Sequence, residues 1–359
     1  MADFQNMATG SSYQALLVLS FGGPNGPDDV IPFLENVLRG RNVPRERMLQ
    51  VAEHYQHFGG KSPINEQNLA LIDALRTDFD QHGLSHLPIY FGNRNWHPLL
   101  PDTLAQMAKD GITRALCLTT SSFSSYSGCR QYRENIAAAQ DQLGPSAPAI
   151  DKLRVWYNHP HFIEAMAARV QESLANLDEN QRADAHLVFT AHSIPTSMAE
   201  GCDYEKQLRE SCRLVAEAVG NHPHVLVYQS RSGPPTQPWL EPDVCDYIRE
   251  RASQGQRQPL VVVPIGFVSD HMEILFDLDE EAASLCQELG IPMQRASSVG
   301  THPRFVEMVR LLVEERFSPE PVRLSVGIYP PNHDQCPDTC CPAARRPMGR
   351  PPVATVTEP

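Results

Sequence analysis

Short runs of consecutive apolar residues alternate along this chain with longer stretches in which apolar residues recur every three to four positions. Ala15 to Leu19, Pro88 to Phe91, Ala115 to Thr119, Ala185 to Thr190, Val225 to Tyr228 and Leu260 to Ile265 are of the first kind. A run that is short and apolar on both faces predicts a strand covered on both sides, as in parallel sheets between helical layers. Asp28 to Leu38, Leu69 to Gln81, Pro101 to Lys109, Phe162 to Asn176, Glu205 to Val219, Asp243 to Ser253 and Arg304 to Arg316 carry the helical period. Strand and helix in alternation, in two halves of similar size, predict an α/β fold. Its two doubly wound (Rossmann-like) parallel-sheet domains would enclose a cleft. The GPSAP stretch, Gly144 to Pro148, reads as the hinge, which sets domains at 13–150 and 151–318. A Cys/Pro-rich tail, 319–359, follows, and its end beyond Arg346 lacks apolar periodicity and is expected to be disordered.

The boundary between Leu260 to Ile265 and the next element carries the most chemistry. After the Gly266 turn a helix is expected, capped by Ser269 or Asp270, with Glu273, Asp277 and Glu281 at i, i+4 and i+8. In an α-helix that row drifts only about 40° per step, so the three carboxylates share a face. A solvated acidic face near a helix N-terminus is one reading of the row. An ion-handling site is the other: open α/β sheets bind ligands at strand carboxyl ends, and Asp270 and His271 crowd the same turn, at a cost in repulsion unless a cation visits. A second apolar run, LVFTAHSIP, ends with His192 before Pro195 stops the strand, which places this histidine on the same sheet edge.

The FGGPNGP loop, Phe21 to Pro27, does not open a helix as a dinucleotide loop must, and Pro24 and Pro27 remove amide donors that would bind pyrophosphate. A stiff loop with Phe21 presenting a flat apolar face fits better.

HSIP, the segment from Gln229 to Pro242 (QSRSGPPTQPWLEP) and that from Gly266 to Asp279 (GFVSDHMEILFDLD) resemble signature segments of ferrochelatases, the enzymes that insert ferrous iron into a porphyrin. SFGGP, HFGGKSPIN and GNRNWHP resemble the family in the same order, over roughly Ala15 to Phe317. The wording around Phe21 and Arg94 is most similar to the actinobacterial-type enzymes acting on coproporphyrin III. The resemblance implies a chelatase-like fold and porphyrin and ferrous iron as substrates. It implies His192 as acceptor of a pyrrole proton and Glu273 as proton acceptor or ferrous-iron ligand at the ring centre. Asp277 and Glu281 would pass protons or metal along the helix, with His271 and Asp270 in support. Phe21, Trp239 and Ile194 are expected as apolar walls and Arg94 as a propionate partner, with Arg39 or Arg41 as weaker candidates. Protoporphyrin IX is the runner-up substrate. A cobalt or nickel chelatase and a non-catalytic tetrapyrrole carrier are the other readings of the same fold.

A formal charge of −13 and the lack of a basic stripe exclude nucleic acid as a partner. No apolar run is long enough for a transmembrane helix, and the start of the chain has no secretory signal pattern, so a cytoplasmic protein is expected. Six of the nine cysteines are scattered, whereas Cys336, Cys340 and Cys341 fall within six residues of the tail. Without a secretion signal these read as soft-metal ligands, one short of the four that a [2Fe–2S] cluster or a structural zinc takes. Some ferrochelatases similarly join a C-terminal cysteine group to one internal cysteine around a [2Fe–2S] cluster. Cys129 is the preferred fourth ligand and Cys202 the second choice, with zinc or no metal as the alternatives.

Overall fold

The structure, a computed structural model, describes residues 13–40, 43–234 and 236–344. Its first half runs β1 (Leu16–Ser20), α1 (Val30–Val37), α2 (Arg45–His57), α3 (Ile64–Gln81), β2 (Ile89–Asn93), α4 (Leu100–Lys109), β3 (Arg114–Thr119), α5 (Gln131–Leu143) and β4 (Ala149–Lys152). The second half runs α6 (Pro160–Ala175), α7 (Glu179–Ala183), β5 (His186–His192), α8 (Thr196–Ala199), α9 (Tyr204–Ala218), β6 (His224–Gln229), α10 (Val244–Ser253), β7 (Leu260–Val263), α11 (Met272–Ile274), a π-helix (Leu275–Ala282), α12 (Ala283–Leu289), β8 (Met293–Arg295) and α13 (Pro303–Phe317).

The strands form two four-stranded parallel sheets of the same order, β2-β1-β3-β4 and β6-β5-β7-β8. The central strands β1 and β7 are buried along their whole length, which is why they read as continuous apolar runs. Pro264 lacks the N–H that pairing needs, so β7 stops at Val263, two residues before the apolar run does. The first sheet takes its last strand, β4, from beyond the GPSAP stretch. That stretch is a short turn inside the first half, and the chain crosses to the second half through residues 153–159. The crossing is firmly buried: Arg154, Trp156, Asn158 and His159 are all at most 2% exposed. Arg154 makes a two-pronged pair with Glu315 on α13 at 2.8 Å. One continuous core runs from Leu16, Val18 and Leu71 through Trp156 and Phe162 to Phe189, Val261 and Phe305, so both sheets are built on shared packing.

Helices α2, α5, α7 and α8 and strands β4 and β8 have no counterpart among the sequence expectations. Helix α2 is largely polar and fully buries only Met48 and Ala52, so its period is faint. Past α13 the tail is held in place. Arg154 donates to the Leu324 carbonyl at 3.0 Å, Asn158 to that of Tyr329 at 2.9 Å, and the Ile328 N–H reaches Glu210 on α9 at 2.9 Å. The sequence beyond residue 344, including the stretch after Arg346, lies outside the described residues.

Candidate active site

In each sheet the chain reverses its direction of winding beside the first strand, between β1 and β3 and again between β5 and β7. Such switch points open a crevice at the strand carboxyl ends. His192, the last residue of β5, lies at the second crevice, beside the chain leaving β7. Gly266 makes that approach possible: a Cβ there would stand 2.7 Å from both Cα and Cβ of Ala191.

His192 Nδ1 is 2.5 Å from the Ser193 carbonyl. A carbonyl only accepts, so Nδ1 carries a proton, and in the neutral imidazole the lone pair is therefore on Nε2. Glu273 Oε1 stands 3.7 Å from that Nε2, and Oε2 stands 4.0 Å from Nε2 of His271. Burial holds the His271 imidazole below its ordinary range; the Glu273 charge opposes this and His192 adds to it. Tyr204 donates to the His192 carbonyl at 3.0 Å and fixes the strand end from behind.

The helix that carries the acidic row differs from the expectation in three ways. Its N-cap is His271, whose Nδ1 accepts from the Glu273 N–H at 3.2 Å. Ser269 is buried, and Asp270 is committed to the Ser298 N–H at 3.1 Å and to Arg295 at 3.0 Å, so neither caps the helix. The repulsion expected in this turn is relieved by protein: Arg295 reaches Asp279 at 2.6 and 2.9 Å as well as Asp270. Asp270 is thereby a structural anchor, also tied through its N–H and carbonyl to Gln67 on α3 at 2.8 and 3.1 Å. Third, Leu275–Ala282 is a π-helix rather than an α-helix. Its i→i+5 bonding needs more than four residues per turn, so i+4 falls just short of a full circle instead of just past it. Glu273, Asp277 and Glu281 still share a face.

Asp277 has partners the sequence reading left unassigned. Gln229 Nε2 donates to its Oδ2 at 3.1 Å, and the Ser230 hydroxyl donates to the same oxygen. Ser230 holds φ +60°, a left-handed conformation uncommon for a side-chain-bearing residue. Gln229 is the last residue of β6, in register with His192, and Ser230 follows it, so the strand-end rule that singled out His192 applies to them too. Burial, with the charges of Glu273 and Glu281, nevertheless pushes the Asp277 carboxyl up to about 7. Burial also raises Glu281, with Asp243 contributing. Helix α2 closes over the π-helix: the His54 ring stacks on Phe276 at 3.9 Å and His57 Nε2 meets Glu280 at 3.1 Å. No local pattern signals such a contact.

In the first half, Phe21 follows β1 and is 38% exposed. The Arg94 guanidinium lies 5.7 Å from its ring and 4.6 Å from that of Tyr132, and Arg94 Nε donates to Asn135 at 2.7 Å. Trp239 is partly exposed in the loop after β6 and pairs through its backbone with Pro195. Ile194 is only 5% exposed and packs in the core, so it offers a ligand little surface. Arg39 is exposed at the end of α1, and Arg41 lies outside the described residues.

The tail brings its cysteines to Cys129, which is buried in the turn before α5. Cys129 packs in the same cluster as Cys336, Cys340 and Cys341, and the Cys336 and Cys341 thiols, more than the nearby Lys152 charge, lower the Cys129 thiol from its ordinary range. Lys152 Nζ lies 3.1 Å from the same sulfur. Cys340 Sγ is 3.5 Å from Cys341 Sγ. His333, which no sequence expectation named, joins Cys336 and Cys340 with ligand atoms all within 4.8 Å of one another. Arg130 and Arg133 fasten the loop by donating to the carbonyls of Asp338 at 2.8 Å and Cys336 at 3.1 Å. Converging thiols, one beside the Lys152 ammonium, make a His/Cys cluster suited to a soft metal centre. Cys202 keeps its thiol on the Met198 carbonyl at 3.3 Å.

Among the described residues no helix is long and apolar enough to cross a membrane. A model of the ferrochelatase family matches residues 13–317. A ferrochelatase of Rhodopirellula baltica is 60% identical over 342 residues, 95% of this chain and 96% of the relative. A coproporphyrin III ferrochelatase of Streptomyces coelicolor is 53% identical over 355 residues, 93% of this chain and 94% of the relative. Among solved structures, the sirohydrochlorin chelatase SirB from Bacillus subtilis subspecies spizizenii in complex with cobalt matches with a TM-score of 0.50 at 11% identity, over 85% of this chain and 95% of that one. That likeness is one of fold.

Proposed function

The chain belongs to the ferrochelatase family, and from that premise we propose that it inserts ferrous iron into coproporphyrin III to give coproheme. The choice of porphyrin rests on relatives named for that substrate that match nearly the whole chain. The observation that carries the site assignment is the pairing of His192 Nε2, free to accept, with Glu273 Oε1 at 3.7 Å in the β5/β7 crevice.

Metalation requires two pyrrole N–H protons to leave as the ferrous ion enters. His192 Nε2 accepts one of them. Glu273 accepts the other or holds the ferrous ion opposite, and imidazole and carboxylate ligands bind that ion only moderately, which suits its delivery. Asp277, poised near pH 7, gains and loses a proton with little cost in either direction. Glu281 continues the row to a surface cavity of about 370 Å³ lined with Asp243, Cys245 and Glu288. Phe21, Trp239 and Arg94 form the porphyrin's walls, with Arg94 placed for a propionate.

In the tail, Cys129, Cys336, Cys340 and Cys341 would hold a [2Fe–2S] cluster. Such a cluster supplies one-electron redox chemistry when bound. These residues tie the tail to the first half. All nine cysteines are free thiols, and the chain fits a reducing compartment such as the cytoplasm.

The test is an anaerobic assay with ferrous iron and each porphyrin, with His192→Ala alongside wild type. Wild type should metalate coproporphyrin III in preference to protoporphyrin IX. The variant should quench porphyrin fluorescence with near-normal affinity yet leave the ring free of iron. Wild-type turnover by His192→Ala would remove His192 from the mechanism, and tight binding without turnover by wild type would mark a carrier.

A further inference from the structure

The tail centre has one donor more than a four-ligand group uses. Four thiols, those of Cys129, Cys336, Cys340 and Cys341, pack into one cluster, and His333 stands at the rim with its ring nitrogen near the sulfurs of Cys336 and Cys340. The surplus donors are not equivalent. Cys341 is 3% exposed, and its backbone holds φ +51°, in the left-handed region that side chains rarely adopt. His333 is exposed and its backbone φ is not positive. Cys340 and Cys341 are neighbours in sequence, so withdrawing one sulfur leaves the other in place.

We propose that His333 is the fifth donor of this centre and takes the place of Cys341, so that the centre is held either by four cysteines or by three cysteines and His333. The inference rests on the reading of the tail as a [2Fe–2S] site. Exchanging an anionic thiolate for a neutral imidazole makes the centre less negative, and histidine ligation of a [2Fe–2S] group raises its reduction potential. It also relieves the strained backbone at Cys341 of the need to aim a sulfur inward. The second arrangement is therefore the more readily reduced of the two.

The experiment compares wild type, Cys341→Ser, His333→Ala and the double variant, produced with adequate iron and kept anaerobic. Iron and sulfide contents, visible absorption and pulsed-EPR nitrogen coupling of the reduced samples are measured. His333→Ala should be red-brown without histidine nitrogen coupling, and reduced wild type should be red-brown with that coupling in a fraction of its clusters. Cys341→Ser should keep a cluster that shows that coupling and a higher midpoint potential, and the double variant should be colourless. Cys341→Gly, at home at a positive φ, repeats the arm with an unstrained backbone in case serine disturbs folding. A Cys341 variant as empty as the double variant, or one whose cluster lacks nitrogen coupling, overturns the ligand exchange. A colourless, zinc-loaded wild type instead overturns the [2Fe–2S] reading, so the two failures are distinguishable.

Discussion

At pH 8, Asp277→Asn is expected to make the protein more stable and less active. The native carboxyl is pushed from an ordinary 3.8 to about 7, chiefly by burial and further by Glu273 and Glu281, although Gln229 and Ser230 donate to it. Because its folded pKa lies above the unfolded value, the folded chain binds more protons between those limits. The stability this group contributes is complete below about pH 4 and is lost as pH rises through 7. Three pH units at ~1.4 kcal/mol each set an upper figure of ~4 kcal/mol. Solvent reaching the partly exposed carboxyl reduces the expected effect to ~2 kcal/mol. Asparagine presents a carbonyl oxygen to the same two donors and never ionises. The urea midpoints of wild type and variant should coincide below pH 4, diverge steadily from pH 4 to 7 in the variant's favour, and run parallel above pH 8. In the metalation assay the variant should lose kcat, and the limb of the pH profile near 7 should vanish. A stability difference that does not change with pH, or a variant that is the weaker at pH 8, would refute the placement of a strained, proton-exchanging carboxyl on the π-helix.

The partner of that carboxyl can be tested separately. Ser230→Ala removes a donor that favours the ionised form, so the limb assigned to Asp277 should move up by about one pH unit, worth ~1.4 kcal/mol. A fall in kcat with an unmoved limb would make Ser230 merely structural. At the crossing between the halves, Arg154→Met leaves Glu315 ionised and unpaired in a buried site, since the two side chains are only 1% and 6% exposed. Urea denaturation should show a loss of about 3–5 kcal/mol, and adding Glu315→Leu should recover most of it, because a buried pair costs more to break than to replace with apolar packing.

The features legible in the sequence were those whose cause is local. Strands β1, β3, β5 and β7 announced themselves because burial on both faces demands unbroken apolar runs. That His192 and Glu273 would lie near each other was legible because strand carboxyl ends are where a parallel sheet opens to a ligand. The π-helix was misread as α, yet its signal was present. The buried residues Ile274, Leu278 and Ala282 recur at intervals of four, as do the acids Glu273, Asp277 and Glu281 one position before them. Over two steps an α-helix would drift each row by about 80°, whereas a turn of more than four residues reverses and shortens that drift, keeping one row in the core and the other at the crevice. The partners that set the chemistry of the row were beyond local reach. Arg295 neutralises Asp270, and Gln229 and Ser230 hold Asp277. His57 meets Glu280, and Cys129 meets sulfurs some two hundred residues away. Each of these pairs exists only once the sheets have stacked and the tail has wrapped. Residue identity at a strand end thus says where a proton can be handled, while the folded neighbours decide at which pH the handling occurs.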